Sequence, residues 1–400
     1  MKRRRNPKPN AGGSDDLRRI LAAAAAMTAS GDEPRRHHLV PKFYLERWAT
    51  GGRVKVTDLT NDRHAFLSAP ENALFEIDYY RVPEGTVEGG SPVVWEAWLS
   101  KVEGDAAEVF AAVDERGLGE LDESQWARLL TFLSVQVTRS RSFRFRGRWM
   151  MGAGYYSLME LDREGAIEAL LARTGEDPSA EHIAELQAYF AQANADPWSI
   201  PMAAGWEMDT ASRSAESLVD TLATRKFLIY NTTVPLLTSD EPVVLLNENM
   251  GAKHHPEGGG CFGAPIVVFP FGPHQVLAMF RENMPVLRSA DTKLDWSETL
   301  ELNRVIAGNA HRNVVEVRAG RLGANLFLPT LKDPVGMLSI PPADGAGQEI
   351  IWMPSQTRWH EQRGAPTRPV RSWWPDILPP PPHGPSTNAE WQAEREAYNS

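Results

Sequence analysis

The pattern of apolar residues changes near residue 225, and this change limits the folds open to the chain. From about residue 91 to 222 apolar residues recur every three or four positions, which is typical of amphipathic helices. From about 226 to 318 they form short runs between turn residues, which is typical of strands in a mostly antiparallel sheet. Because each layer needs a partner to bury its apolar face, we expect an α+β fold with a helical layer packed on that sheet.

The first two predicted helices carry their own boundary signals. Pro92 suits the first turn of a helix, where its missing N–H breaks no hydrogen bond. Gly117 predicts the end of that helix, and Asp122 followed by Gln125 forms the capping-box pattern that starts the next one. The other predicted elements are a hairpin of residues 53–58 and 64–67, three helices within 155–222, strands at 226–230, 234–237, 243–246, 264–269, 275–279 and 313–318, and a helix at 295–310.

Three regions follow from composition along the chain. Residues 1–33 form a basic, alanine-rich leader that we predict to be disordered, although Asp15 to Ser30 can form a helix. Residues 34–325 are expected to form a single α+β domain. Residues 326–400 are rich in proline and tryptophan, and we predict an extension that either wraps its own domain or binds a protein partner.

Overall composition excludes several classes of protein. The 42% hydrophobic content allows a sizeable core, and the net charge of −10 argues against nucleic-acid binding by the whole surface while leaving room for a local basic groove. No apolar run reaches the length of roughly 20 residues that a membrane helix needs, so no membrane partner is expected. The single Cys261 fits a reducing compartment and predicts a cytoplasmic protein.

One dense stretch, His37 to Trp48, lies before the first predicted hairpin. Its apolar residues Leu45 and Trp48 and its Pro41 are expected to anchor it between the helices and the sheet. His38 is then presented toward polar residues of the helical layer. An imidazole there serves either as a general acid or base or, structurally, as a cap or a partner of a buried carboxylate.

The helical layer offers carboxylates and a cation. Glu96 and Glu103, seven residues apart on one helix, are either a carboxylate pair for metal binding or proton transfer or an exposed flank. Glu103 borders the apolar stripe more closely and is the better catalytic candidate. Gln136 and Arg139, three residues apart, flank the buried face of the next helix. Arg139 either pairs with Glu103 or binds an anionic substrate.

The loop Thr238 to Val243 joins two apolar runs. Asp240 is a catalytic candidate and Ser239 a substrate-binding one, because polar loops at strand ends often form sites. The alternative is that both side chains bond their own backbone. No phosphate-binding loop, nucleophile elbow or zinc motif is present, so no metal-binding residue is assigned, and the sequence leaves the cofactor and the metal dependence open.

The order of these segments resembles the bacterial family catalogued as domain of unknown function 4238. The resemblance spans about residues 36 to 320, and it implies the domain boundaries without implying catalytic residues. The motifs that carry it include His38-Leu-Val-Pro-Lys-Phe-Tyr-Leu45, Asp78-Tyr-Tyr80, Gln136 to Arg139, and Thr238-Ser-Asp-Glu-Pro-Val243.

Together these residues favour a hydrolase, phosphodiesterase-like or nuclease-like. His38, Glu103 and Asp240 would be catalytic, and Arg139, Gln136 and Ser239 would bind an anionic substrate or nucleic acid. We expect all of them to meet in one pocket. The alternative is a non-catalytic interaction module of an accessory or defence-type locus, in which the same residues form a buried structural network. A small-ligand sensor is a third hypothesis.

Overall fold

The structure is a computed structural model of the chain. It describes residues 13–31, 34–82, 91–147, 179–195, 204–246, 260–282, 284, 286, 289, 293–326, 336–340 and 349–353. Close packing divides the chain into two compact units. The described residues up to Arg141 and those from Ala204 to Leu326 belong to the first unit, which contains every predicted site residue.

Two of the three predicted boundary signals lie where expected, whereas the helix predicted to start at Pro92 begins at Val94. Asp122 and Gln125 form a complete capping box, and Gly117 ends the preceding helix at φ 87°, which favours glycine. Short 3-10 turns cover Pro70–Asn72 and Leu118–Glu120. The α-helices of this unit are α1 (Gly13–Ser30), α2 (Lys42–Glu46), α3 (Val94–Arg116), α4 (Glu123–Thr138), α6 (Ala204–Ala223), α7 (Gly260–Gly263), α8 (Trp296–Asn309) and α9 (Leu322–Asn325).

The described strands of this unit form three sheets. The largest has the order β10-β5-β9-β8-β7, and all its pairs are antiparallel except β10 with β5. A second has the antiparallel order β3-β2-β11-β6, and β1 pairs antiparallel with β4. The strands are β1 (Arg36–His38), β2 (Val54–Asp58), β3 (His64–Ser68), β4 (Phe75–Ile77), β5 (Lys226–Thr232), β6 (Thr238–Ser239), β7 (Val244–Leu246), β8 (Ile266–Gly272), β9 (Gln275–Phe280), β10 (Lys293–Leu294) and β11 (Asn313–Val317).

The five-stranded sheet is buried on both faces, which explains its nearly continuous apolar runs. Alternate residues such as Val267 and Phe269 belong to a core shared with α3 and α4. The intervening residues, such as Val268, belong to a second core with Leu302 and Ile306 of α8. The α+β fold class is therefore confirmed, with helices covering both faces of the sheet.

The stretch His37 to Trp48 lies where expected, between the helices and the sheet. The Tyr44 ring lies 5.0 Å from Phe269, measured between ring centroids, and its hydroxyl donates to Pro270 O at 2.7 Å. Trp48 Nε1 donates to Leu236 O at 2.7 Å. Because these side chains are fully buried, the bonds hold the stretch at a fixed depth in the core.

Three expectations differ from the structure. The strand predicted at 234–237 is wrong, because the strand there is Thr238–Ser239. The strands do not form one sheet, because β2, β3, β6 and β11 pair separately. Of the leader, residues 13–30 form α1, which packs on α3, and the Thr28 hydroxyl forms a hydrogen bond with that of Ser91, which precedes α3.

The second unit contains helix α5 (Ala180–Ala195) and the antiparallel pair β12 (Gly336–Ile340) and β13 (Glu349–Met353). This hairpin lies inside the predicted proline-rich extension, where no strand was expected. The first of the three helices predicted within 155–222 lies outside the described residues, and α5 and α6 account for the other two. Among the described residues, no helix is long and apolar enough to cross a membrane.

Candidate active site

His38 ends β1 with only one of its ring nitrogens engaged. Nε2 lies 3.1 Å from the carbonyl oxygen of Glu71, and because a carbonyl only accepts, Nε2 carries the proton. In the described part of the chain Nδ1 has no hydrogen-bond partner. Burial lowers the pKa of His38 from its ordinary value, against the effect of the Glu71 hydrogen bond and the Glu103 charge. The imidazole is therefore neutral near pH 7 with a free lone pair.

Its neighbour His37 has a different role, which the sequence did not predict. Nδ1 of His37 accepts the backbone N–H of Tyr80 at 2.7 Å, and Nε2 donates to Pro34 O at 2.9 Å. The ring is fully buried and stacks on Tyr80. Both nitrogens of His37 are thus engaged in holding the backbone, whereas His38 has one nitrogen without a hydrogen-bond partner in the described structure.

Arg139 lies at the C-cap of α4 and pairs with Glu103 of α3. Its Nη1 donates to Glu103 Oε1 at 2.8 Å, and its Nε donates to Leu39 O at 2.6 Å. The Arg139 side chain is 3% exposed and that of Glu103 is 26% exposed. Arg139, at the end of α4, is therefore bonded both to Glu103 of α3 and to Leu39, the residue after His38. The Glu103 side chain is partly exposed to solvent. Nη2 of Arg139 is buried without a hydrogen-bond partner in the described structure.

Glu96 is mostly buried near this pair. Burial and the charge of Glu103 raise the pKa of Glu96 to about 7, although Arg139 opposes the shift. Among the described residues its carboxyl has no hydrogen-bond or ion-pair partner. Glu103 was the expected catalytic carboxylate because it borders the apolar stripe, yet it forms an ion pair with Arg139. With a pKa of about 7, Glu96 is the carboxyl group that exchanges a proton near neutral pH. The seven-residue spacing was the signal that pointed to Glu96.

Gln136 precedes Arg139 by three residues, so the two side chains are neighbours on α4. Its side chain is buried at 2% exposure. Among the described residues it is the only side chain with two buried polar atoms, Oε1 and Nε2, that lack hydrogen-bond partners. An unsatisfied buried polar group costs about 1–3 kcal/mol, so both atoms of this amide need hydrogen-bond partners.

Asp240 has a separate set of partners. Its carboxylate accepts the backbone N–H groups of His311 at 2.9 Å, Arg312 at 2.9 Å and Asn313 at 3.1 Å. Arg141 Nη1 lies 3.7 Å from it. Burial and the neighbouring Glu241 raise its pKa to about 6. These contacts attach the loop to the start of β11, which favours a structural role.

The other predicted residue of this loop, Ser239, is also engaged by the backbone. Its Oγ accepts the N–H of Glu241 at 3.2 Å, and the residue pairs with Val314 in the sheet. Arg141, which approaches Asp240, also forms an ion pair with Glu76 of β4. The side chains of Asp240 and Ser239 are therefore both hydrogen-bonded to backbone N–H groups, as the alternative interpretation of this loop predicted.

The structure thus joins Glu103 to Arg139, and the charges of both act on His38 and on Glu96. Gln136 lies three residues before Arg139, at the end of α4. The structure joins Asp240 and Ser239 to other partners. No group of three or more His, Cys, Asp or Glu side chains suited to a metal ion occurs among the described residues. A separate surface depression of about 510 Å³ is lined by Thr28, Gly31, Arg35, Asp78 and Arg81, none of which is a predicted site residue.

A family model described as "Protein of unknown function (DUF4238)" matches residues 36–319. The matched region runs from β1 past β11 and includes all the predicted site residues. No curated protein and no solved structure matches the chain. The chemistry of the site therefore has to be inferred from its own geometry.

Proposed function

The chain belongs to the protein family described as DUF4238, and we propose that it is a hydrolase that cleaves phosphodiester bonds by general acid–base catalysis. His38 acts as the base, Glu96 as the acid, and Arg139 binds the anionic group of the substrate. The observation that supports this most is the neutral His38 imidazole, whose Nε2–H is fixed by a carbonyl and whose Nδ1 is unengaged. A base needs this arrangement to take a proton from the attacking water.

Glu96 complements His38 because its preferred protonation state is the opposite one. With a pKa of about 7, about half of the Glu96 carboxyl groups hold a proton at pH 7, and this proton can be donated to the leaving oxygen. The reaction needs both a neutral base and a protonated acid, and it uses both in the same step. After each turnover, proton exchange with solvent returns both groups to their starting states.

Arg139 and Glu103 prepare the site for an anion. Glu103 and the carbonyl of Leu39 fix the guanidinium, and the unpartnered Nη2 remains to donate to a phosphoryl oxygen. Glu103 is a positioning residue in this mechanism. Asp240 and Ser239 support the loop and take no part in the chemistry proposed, because their oxygens already accept backbone N–H groups.

A second function, a non-catalytic interaction module, is favoured by one observation. Arg139 and Asp240 are nearly sealed from solvent and each holds backbone groups in place, as members of a structural network do. In that case Glu96 and His38 would have no catalytic role. A partner protein of an accessory or defence-type locus would then bind elsewhere on the surface.

The test measures hydrolysis of bis(p-nitrophenyl) phosphate and of labelled single-stranded nucleic acids, with and without added Mg²⁺. We expect Glu96→Gln and His38→Ala each to lower kcat by roughly 10²–10⁴-fold, the usual contribution of a positioned acid or base. Glu108→Gln, on the exposed side of the same helix, and His274→Ala, on an exposed turn, are the matched controls and should leave kcat unchanged. Absence of turnover on every phosphodiester, or equal rates in all four variants, would favour the interaction module.

The proposed substrate is a nucleic acid or another phosphodiester. The net charge of −10 means that its binding would depend on this local site and not on a generally basic surface. The single cysteine fits action in a reducing, cytoplasmic compartment.

A further inference from the structure

The surface depression beside β1 is separate from the proposed active site. Its volume of about 510 Å³ lies within the range of about 300–1,000 Å³ that small-ligand pockets occupy. Thr28 and Gly31 line it from the end of α1, and three residues that flank β1 and β4 complete the described lining: Arg35, Asp78 and Arg81. All five belong to the first compact unit. The depression therefore lies between α1 and the two short strands, and it is open to solvent.

The Arg35 guanidinium is held in place by Asp78. Its Nε donates to the two carboxylate oxygens at 3.2 and 3.1 Å, and its Nη2 donates to Oδ2 at 2.5 Å. The backbone joins the same two residues, because Asp78 N donates to Arg35 O at 2.7 Å. Nη1 of Arg35 has no hydrogen-bond partner among the described residues, and the side chain is 69% exposed. This nitrogen is thus fixed in position and accessible to a ligand.

A second guanidinium, that of Arg81, lines the same depression. Arg81 N donates to Asp78 O at 3.2 Å, so Asp78 is bonded to both arginines. The hydrogen bond from Arg35 and the charge of Arg81 lower the pKa of Asp78, so this carboxylate stays ionised at neutral pH. Two cations then accompany one anion. The described lining has an excess of one positive charge, although the whole chain carries −10, and such a lining attracts an anion.

A phosphate monoester suits this lining better than a carboxylate does. It carries a charge of about −1.5 to −2 at pH 7 and three terminal oxygens, so it can accept hydrogen bonds from two guanidiniums at once. A carboxylate has one charge and two oxygens, and that of Asp78 already occupies Nε and Nη2 of Arg35. Because Asp78 holds Arg35 before a ligand arrives, little side-chain entropy is lost on binding.

We propose that this depression binds a phosphate monoester group, which Arg35 Nη1 and Arg81 hold against the end of α1. The group belongs either to a small phosphorylated compound or to the terminal phosphate of a nucleic acid, since both offer the same chemistry. The ligand is bound without any bond being broken. The site does not depend on the proposed hydrolase, because none of the proposed catalytic residues lines it.

The end of α1 forms one wall of the site through Thr28 and Gly31. A ligand that contacts this wall and the arginines opposite it binds only while α1 is packed on the domain. Binding therefore stabilises the packed position of α1 by mass action.

The experiment measures the affinity of the full chain for glycerol 3-phosphate by isothermal titration calorimetry at constant ionic strength. We expect Arg35→Gln to weaken binding about tenfold or more, as the loss of one hydrogen bond to a charged group predicts. The matched control is Arg36→Gln, which removes the same charge one residue away, where the guanidinium lies 3.8 Å from the Phe75 ring centroid and outside the depression. The control should change the affinity by less than about twofold.

Two further measurements keep the result interpretable. Acetate should bind about tenfold or more weakly than glycerol 3-phosphate, because it has one charge and two oxygens. Arg81→Gln should weaken binding in the same direction as Arg35→Gln. Thermal unfolding of each variant verifies that it folds, and Arg35→Gln alters a side chain that is mostly exposed.

Amide hydrogen exchange tests the part played by α1. At a glycerol 3-phosphate concentration 100 times Kd, exchange in residues 27–31 should slow by up to about a hundredfold in the wild type and in Arg36→Gln. In Arg35→Gln at the same concentration, the slowing should be about tenfold or less, because the affinity is lower.

Oligonucleotides with a 5′-phosphate or a 5′-hydroxyl distinguish the two sources of the phosphate. Tighter binding of the 5′-phosphorylated oligonucleotide than of glycerol 3-phosphate, lost in Arg35→Gln, would assign the site to a nucleic-acid end. Equal or weaker binding would assign it to a small compound.

Three results would overturn the site: no binding of any phosphate monoester, equal affinity for acetate, or equal losses in Arg35→Gln and Arg36→Gln. Unchanged exchange in residues 27–31 despite binding that depends on Arg35 would overturn the role of α1.

Discussion

Replacing Glu103 with leucine removes the carboxylate that is hydrogen-bonded to a nearly sealed guanidinium. Arg139 would keep its bond to Leu39 O, while Nη1 would join Nη2 without a partner. Breaking a buried ion pair from one side costs about 3–5 kcal/mol. Because Glu103 is 26% exposed and water can partly replace it, we expect a loss near the lower limit, about 3 kcal/mol.

The complementary change, Arg139→Met, removes the charge and both of its hydrogen bonds. Glu103 can then turn to solvent, so the remaining cost is mainly the unpaired Leu39 carbonyl and is about 2 kcal/mol. In the double variant no buried charge is left unpaired. The double variant should therefore be no less stable than Arg139→Met alone, which gives a coupling of about 3 kcal/mol between the two sites.

Hydrogen–deuterium exchange of amides in α3 and α4 measures these stability changes locally, so it does not require the two compact units to unfold together. A loss of about 3 kcal/mol accelerates exchange through local opening roughly 150-fold. The matched control is the exposed pair Glu108 and Arg128 on the same two helices, where Glu108→Leu should cost less than about 1 kcal/mol. If Glu103→Leu costs no more than Glu108→Leu, the guanidinium is not confined as inferred.

Three further changes test other parts of the structure. The pKa of Glu96 is raised to about 7 in the folded chain, so the folded chain holds this proton more tightly than the unfolded chain. The free energy of unfolding should therefore fall by up to about 3 kcal/mol as pH rises from about 4.5 to above 7. Urea titrations at several pH values measure this dependence, and Glu96→Gln should remove it. The activity of the wild type should decline above about pH 7, because Glu96 then loses its proton. If the residual activity of Glu96→Gln shows the same decline, Glu96 is not the acid. Tyr44→Phe leaves Pro270 O and the Thr238 hydroxyl without their buried hydrogen-bond partner. We expect chemical denaturation to show a loss of about 1–3 kcal/mol in the free energy of unfolding. No measurable loss would mean that water replaces the Tyr44 hydroxyl. In Asp240 two carboxylate oxygens accept three backbone N–H groups, whereas Asp240→Asn leaves only one acceptor oxygen. We expect a loss of about 2 kcal/mol in stability and faster amide exchange at the start of β11. Unchanged exchange there would argue against the structural role of Asp240.

The sequence alone determined the local elements of this protein. The capping box at Asp122 and Gln125, the helix end at Gly117 and the hairpin of β2 and β3 all lie where expected. Each depends on residues a few positions apart, whose backbone preferences and periodicity can be evaluated without knowledge of the fold. The two-sided burial of the central sheet also follows from its continuous apolar runs, once α8 is counted among the helices.

Only the tertiary structure decided which polar side chains keep a free group. His37 and His38 are adjacent and identical in type, yet one has both ring nitrogens engaged and the other has one. Asp240 is held by N–H groups 71 to 73 residues away. Glu96 acquires its raised pKa from burial and from Glu103. The partner and the desolvation of each side chain depend on which distant segments pack around it, and local sequence patterns carry no information about that packing.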